Sequence, residues 1–325
     1  MFISNFFCFT LKNNNVTIEK MRVFITGSTG LLGSALLRYA PKNVILAASY
    51  NKNRLVPNVK CEYFHADITQ KDQVDKALST FKPDIVIHTA AIATPDYCDK
   101  HQEEANLVNV QGTKNIIDSC RKNNASFVYI TTNGVYDGEN APYDESSEPQ
   151  PIDIYGKTKF EGEKLTQSSG LDYILIRLIT MYGWNNPNER QNPLSWLVEI
   201  LGKNKTPVNM VTDMYNNFLS AKSAADSIWK AVELKKFGET FNIAGKDCIS
   251  RYEFSKEIAQ VFDLDGTMIY PVTLDFFKNF VPRPKNTCFI TTKMEKELAM
   301  QPLSTKEGLA FFKTHPLGES AWKEI

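Results

Sequence analysis

From Met21 onward, short apolar runs alternate with longer stretches of helical periodicity. MRVFIT reads as a buried strand, and LLGSALLRYA as a helix that opens directly behind a glycine loop. NVILAAS, KCEYFHA, DIVIHTAA and SFVYITT read as further strands, with QKDQVDKALSTF and EEANLVNVQGTKNIIDSCRKN carrying the helical period between them. Strands that are apolar almost throughout, each followed by a helix, predict a parallel sheet covered on both faces. The crossovers are expected to be right-handed. The fold class is therefore α/β, a Rossmann-type doubly wound parallel sheet.

Beyond the helix IYGKTKFEGEKLTQ and the strand YILIRLITMYG the pattern loosens, with Trp184, several Asn and Pro, and one helix near PLSWLVEILG. SAKSAADSIWKAVELKK then reads as a helix, ETFNIAG as a strand and RYEFSKEIAQVF as another helix. This alternation predicts a nucleotide-binding domain from residues 21–183 plus about 220–245. Residues 184–219 and 246–325 would form a smaller, interleaved C-terminal substrate lobe. The apolar opening MFISNFFCFT has neither a basic n-region nor a small-residue cleavage site, so residues 1–20 read as a disordered extension or an upstream start codon.

Charge narrows the partners. The chain carries 37 basic and 37 acidic residues, which argues against nucleic acid or a membrane surface and for a small-molecule ligand. No run approaches the ~18–20 apolar residues of a membrane span. The six cysteines are scattered without a C-x-x-C pair, so neither a disulfide framework nor a zinc site is expected. Cys288, in TCFITT, reads as a buried thiol packing like a small hydrophobe. A reducing, cytoplasmic setting and no metal follow.

Candidate chemistry begins at TGSTGLLG. Gly27 permits a tight turn, Gly30 lets the backbone approach a pyrophosphate, and Gly33 lets the helix pack on the strand. The phosphates would meet the free N–H groups at the helix start, so Thr29, Leu31 and Leu32 join the glycines as cofactor contacts. NAD sites place an acidic residue at the end of the second strand, yet no Asp or Glu lies between Ser34 and Cys61. Ser49, Lys52 and Arg54 are available for a 2′-phosphate instead, which favours NADP(H) and leaves NAD(H) as the second choice. Asp67 and Ile68 follow the third strand, and Ala90 and Ala91 the fourth, where loops face the ligand crevice. Asp67 is equally suited to capping the helix that begins near Gln70.

Tyr155 and Lys159 stand one helical turn apart in YGKTK and share a face. A nearby ammonium favours the phenolate and would bring the phenol down from its usual value near 10. The pair suits acid/base catalysis of a carbonyl–alcohol interconversion, with Lys159 also able to donate to the nicotinamide ribose. Thr132 ends the strand SFVYITT, where its hydroxyl can bind a substrate carbonyl oxygen.

Taken in order, TGSTGLLG, HADIT, HTAAI, NVQGTKNI, ITTNGVYDG, YGKTKFEGE and RLITMYG resemble the motifs of the extended short-chain dehydrogenases/reductases. ITTNGVYDG, RPKNTCF and PLSTKEGL are similar to segments of the dTDP-4-dehydrorhamnose reductases. The resemblance implies a Thr132/Tyr155/Lys159 triad and a nucleotide-sugar substrate reduced at C4. It also implies a substrate contact at Asn133 and a diphosphate contact at Arg283, and it is compatible with a homodimer. Arg177 is suited to a structural role instead. Dehydratase relatives carry Asp–Glu after the strand-end Thr, whereas Asn133 and Gly134 stand here, which argues against elimination of water. The reductases usually show an Asp and an aromatic residue at those positions, so this chain departs from them too. Two alternatives share the motifs: a nucleotide-sugar 4-epimerase, and the non-catalytic NADP-binding regulatory β subunit of methionine adenosyltransferase.

Overall fold

The computed structural model describes residues 20–52, 59–186, 189–278 and 281–316. Seven strands form one sheet: β1 (Met21–Thr26), β2 (Val44–Tyr50), β3 (Glu62–His65), β4 (Ile85–His88), β5 (Ser126–Thr132), β6 (Tyr173–Leu178) and β7 (Glu239–Ile243). Their order is β3-β2-β1-β4-β5-β6-β7, and every neighbouring pair is parallel. The doubly wound α/β expectation holds. The strand order reverses between β1 and β4, and such switch points open a crevice at the carboxyl ends of the strands.

The central strands β4, β5 and β6 are largely apolar because both faces are covered, whereas the edge strand β3 has no buried residue. Along β5, Val128 and Ile130 point into one core with Leu36 of α1 (Leu31–Arg38) and Ile228 of α5 (Ala221–Glu233). Phe127 and Tyr129 point into the other, with Leu78 of α2 (Lys71–Phe81) and Ile116 of α3 (Thr113–Asn123). The second layer also holds α4 (Ile154–Gln167), which follows the strand-end turn after Thr132. The long helix expected across 103–123 is interrupted. A π-helical segment, Leu107–Gly112, precedes α3 and carries a fully buried Asn109.

Residues after β6 build short strand pairs outside the main sheet. Val208–Val211 pairs with Ile269–Val272, and Tyr215–Asn217 with Cys248–Ser250, which leads into α6 (Arg251–Val261). Among the described residues no helix is long and apolar enough to cross a membrane.

One expectation fails. Cys248 and Cys288 form a disulfide, with Cα atoms 5.8 Å apart. The pairing of Cys248–Ser250 with Tyr215–Asn217, and a bridge from Tyr215 to Asn286, bring the two segments together. Spacing along the chain carries no trace of that meeting. Cys61, Cys98 and Cys120 are free.

Candidate active site

A cleft of about 610 Å³ opens at the switch point, with the glycine turn on one wall and the ends of β5 and α4 on the other. Gly27 takes the left-handed conformation (φ 64°), and a side chain there would strike the Ala90 backbone. A Cβ on Gly33 would lie 2.2 Å from the Gly27 carbonyl oxygen, so only glycine lets α1 start this close to β1. Gly30 has room for a side chain, which would instead occupy the cleft that it lines. Gly33→Ala is therefore expected to push α1 off the turn and weaken NADPH binding by at least ~10-fold, the scale of a few kcal/mol of misfit. Fluorescence titration with NADPH measures this, and unchanged affinity would contradict it.

The cleft gathers Gly27, Gly30, Leu31, Leu32, Gly33, Ala91, Thr132, Asn133, Tyr155, Lys159 and Arg283. Thr29 and Ala90 support the turn from behind: the Thr29 carbonyl accepts from Asn186, and the Ala90 amide donates to Thr26. Ser49 is buried, and its carbonyl is engaged by the amide and hydroxyl of Ser28. Lys52 is exposed in the loop after β2, while Arg54 lies outside the described residues. Asp67 does not cap the following helix, whose N-cap is Gln70. It accepts from Thr69 and Asn51, and Ile68 is buried against Gly112.

Local structure brings Thr132, Tyr155 and Lys159 to one cleft. Asp153 caps α4 by accepting from the Gly156 amide at 2.7 Å, and Gly156 is pressed against the Gly134 carbonyl. This fixes the start of α4 beside the strand end, so Tyr155 comes to Thr132. The Thr132 hydroxyl accepts from the Gly134 amide at 3.1 Å and donates to the Asn133 side-chain oxygen at 3.2 Å, with the Tyr155 phenol close enough to be acidified by it. One turn on, Lys159 is 3% exposed, with its ammonium 4.2 Å from the centroid of the Tyr129 ring.

The expected lowering of the phenol is not seen. Burial pushes Tyr155 up to about 12, with the Thr132 hydrogen bond opposing. The same burial brings Lys159 down to about 7, with Glu163 opposing. Desolvation outweighs the pairing read from sequence, because it penalises the charged form of each group. At neutral pH the phenol is an acid holding its proton.

Asn109, Arg190, Asn216, Arg251 and Thr287 shape the site without having been read as site residues in the sequence. Asn109 accepts from the Ile92 amide at 2.8 Å and donates to the Ile92 carbonyl and to Thr158, tying the loop after β4 to α4. Asn133 donates to Asn216 at 3.1 Å and to Thr287 at 2.6 Å, closing the cleft floor with amides and a hydroxyl. Arg190, Arg251 and Arg283 come together where the cleft meets a second cavity of about 600 Å³. Burial brings Arg251 down to about 10, and the charges of Arg283 and Arg190 push the same way. Arg283 pairs with Asp96, and Arg190 donates to the Ala93 carbonyl. Arg177 takes the structural role: it clasps Glu163 and donates to Tyr136 at 2.7 Å, all out of solvent. Among the described residues no group of three or more His, Cys, Asp or Glu is placed to hold a metal ion.

Residues 21–315 match the family described as RmlD substrate binding domain. The chain belongs to that family. Methionine adenosyltransferase 2 subunit beta of Bos taurus is 28% identical over 289 residues, covering 88% of this chain and 85% of that protein. The dTDP-4-dehydrorhamnose reductase of Aggregatibacter actinomycetemcomitans is 26% identical over 302 residues, covering 89% and 97%. Among solved structures, a dTDP-4-dehydrorhamnose reductase from Bacillus anthracis in complex with NADP superposes with a TM-score of 0.80 at 26% identity, covering 91% of this chain and 99% of that one.

Proposed function

We propose that the chain reduces the C4 ketone of a nucleotide-diphospho-deoxysugar with NADPH, in the manner of a dTDP-4-dehydrorhamnose reductase. The observation that carries the reading is the meeting of Thr132, Tyr155 and Lys159 in the cleft that the glycine turn opens. The residues present fit the dinucleotide: the turn excludes side chains at Gly27 and Gly33, and no carboxylate follows β2 to hold a ribose 2′-hydroxyl. NADP(H) is the preferred cofactor and NAD(H) the second, and the likeness to a reductase solved with NADP supports that order.

When bound, NADPH supplies the hydride. Thr132 holds the ketone oxygen, and Tyr155 gives its proton to that oxygen as the carbonyl carbon is reduced. Lys159, one turn away and lining the same cleft, would donate to the nicotinamide ribose. Asn133 stands where elimination would need an acid, and its amide has no proton to exchange at working pH.

The three arginines supply the anion site. The charges of Arg190 and Arg283 bear on the buried Arg251, with Asp96 offsetting Arg283, and a diphosphate would relieve the repulsion that remains. Beyond them Trp196, Met210 and Phe254 line the second cavity, which suits a nucleoside. Arg251→Gln is expected to raise KM for the nucleotide sugar by roughly 10- to 100-fold, the worth of one charge-assisted contact, with kcat little changed. Steady-state kinetics would contradict this if kcat fell and KM stayed.

Purified protein given dTDP-4-dehydrorhamnose and other keto-sugar nucleotides, with NADPH or NADH, tests the reading by cofactor oxidation. A second reading draws on the 28% identity to methionine adenosyltransferase 2 subunit beta: a cofactor-binding subunit without turnover. Absent turnover with every keto sugar, together with association with an adenosyltransferase, would favour it.

A further inference from the structure

The Lys159 ammonium is nearly out of water, and the face it lies on is a tyrosine ring that the catalytic reading leaves without a task. We propose that Tyr129 is a positioning residue, whose ring face is the seat that holds the Lys159 ammonium in the active cleft. The inference rests on the catalytic role given to Lys159 above.

The seat is built by specific neighbours. Tyr129 stands on β5 with no exposed surface. Its hydroxyl reaches so far under α4 that a Cβ on Gly162 would lie 2.0 Å from it. Glycine at that position is what admits the ring, and the hydroxyl donates to the Lys159 carbonyl at 3.4 Å. His88 stacks on the ring at 6.0 Å and 28°, and Phe127 at 6.1 Å and 26°. His88 is itself fixed on both ring nitrogens, by Thr26 at 2.7 Å and Thr113 at 3.1 Å. The ring therefore has little freedom to turn.

The chemistry suits a cation. An aromatic face is the negative end of the ring quadrupole, and an ammonium over it is favoured most where water is excluded. The groups around Lys159 are few. Glu163 lies one turn further along α4, clasped by Arg177 of β6. Tyr155 lies one turn back, its phenol protonated at neutral pH. From β4, burial and the Lys159 charge push His88 down to about 3, so the ring beneath Tyr129 is neutral at any working pH. Tyr129 thus offers attraction with no second cation below it. Loss of the negative face would leave the ammonium with less to offset its burial, and Lys159 would give up its proton at lower pH.

The test compares two rings of the same shape and opposite quadrupole. Tyr129→Phe and the protein carrying pentafluorophenylalanine at position 129 are titrated by NMR of ¹³C-labelled lysine, with the Lys159 signal assigned by its loss in Lys159→Met. Phe is expected to keep the Lys159 midpoint near that of the parent, and the fluorinated ring to lower it by about one pH unit or more. Equal midpoints for the two rings would overturn the proposal. Tyr129→Leu gives a second arm should the fluorinated protein fold poorly: a lowered midpoint supports the seat, and an unmoved one refutes it. Because the titration needs neither substrate nor turnover, a shifted midpoint in a protein that reduces no keto sugar would count against the reductase reading while leaving the seat intact.

Discussion

Tyr155→Phe is expected to lower kcat by roughly 10²-fold or more while NADPH binds as before, since the variant removes a general acid and little else. The ring remains, so the packing beside Thr132 and Gly134 survives. What is lost is the proton that the developing alkoxide must receive. Burial keeps that proton on the phenol up to about 12, the form required for reduction rather than oxidation. Substrate and cofactor affinities should change little, because the hydroxyl acts mainly as charge builds on the oxygen. Steady-state kinetics with a parallel NADPH titration separates these effects. Turnover near that of the parent would remove Tyr155 from the mechanism.

Glu163→Ala has the largest expected effect on stability. Glu163 and Arg177 are 1% and 6% exposed, and their contact is bidentate. Removing the carboxylate leaves a buried guanidinium with only the Tyr136 hydroxyl described as its other partner. Breaking a buried pair in this way costs about 3–5 kcal/mol, more than the intact pair contributes. For a chain of this size that is a fall in Tm on the order of 6–10 °C, readable by thermal unfolding. Glu163→Gln keeps an acceptor for Arg177 and should lose less. A Tm unchanged in Glu163→Ala would mean that Arg177 finds another partner or water.

The central sheet was legible because it is buried on both faces, so β4, β5 and β6 read as largely apolar runs. ETFNIAG, with Phe241 and Ile243 alternating with polar residues, also read as a strand, and as β7 it pairs with β6. The glycine turn was legible for a related reason: Gly33 meets the backbone of Gly27 and Ser28, near neighbours in sequence, and Gly27 takes the left-handed conformation of a tight turn. Residues that reach the cleft from distant segments left no such mark. Asn216, Thr287 and Arg251 meet Asn133 and Arg283 only through the short strand pairs after β6, and the Cys248–Cys288 disulfide arises from the same crossings. The direction of the Tyr155 titration was misread because spacing on a helix reveals proximity but not desolvation. Here desolvation dominates.

The account depends on a phenol and a hydride source facing one ketone across this cleft. Its most direct test supplies NADPH deuterated at the transferring position together with dTDP-4-dehydrorhamnose, and reads the sugar by mass spectrometry. One deuterium at C4 of the reduced sugar, formed by the parent protein and roughly 10²-fold more slowly by Tyr155→Phe, is the predicted result. A sugar recovered unreduced, or reduced without deuterium, would contradict it.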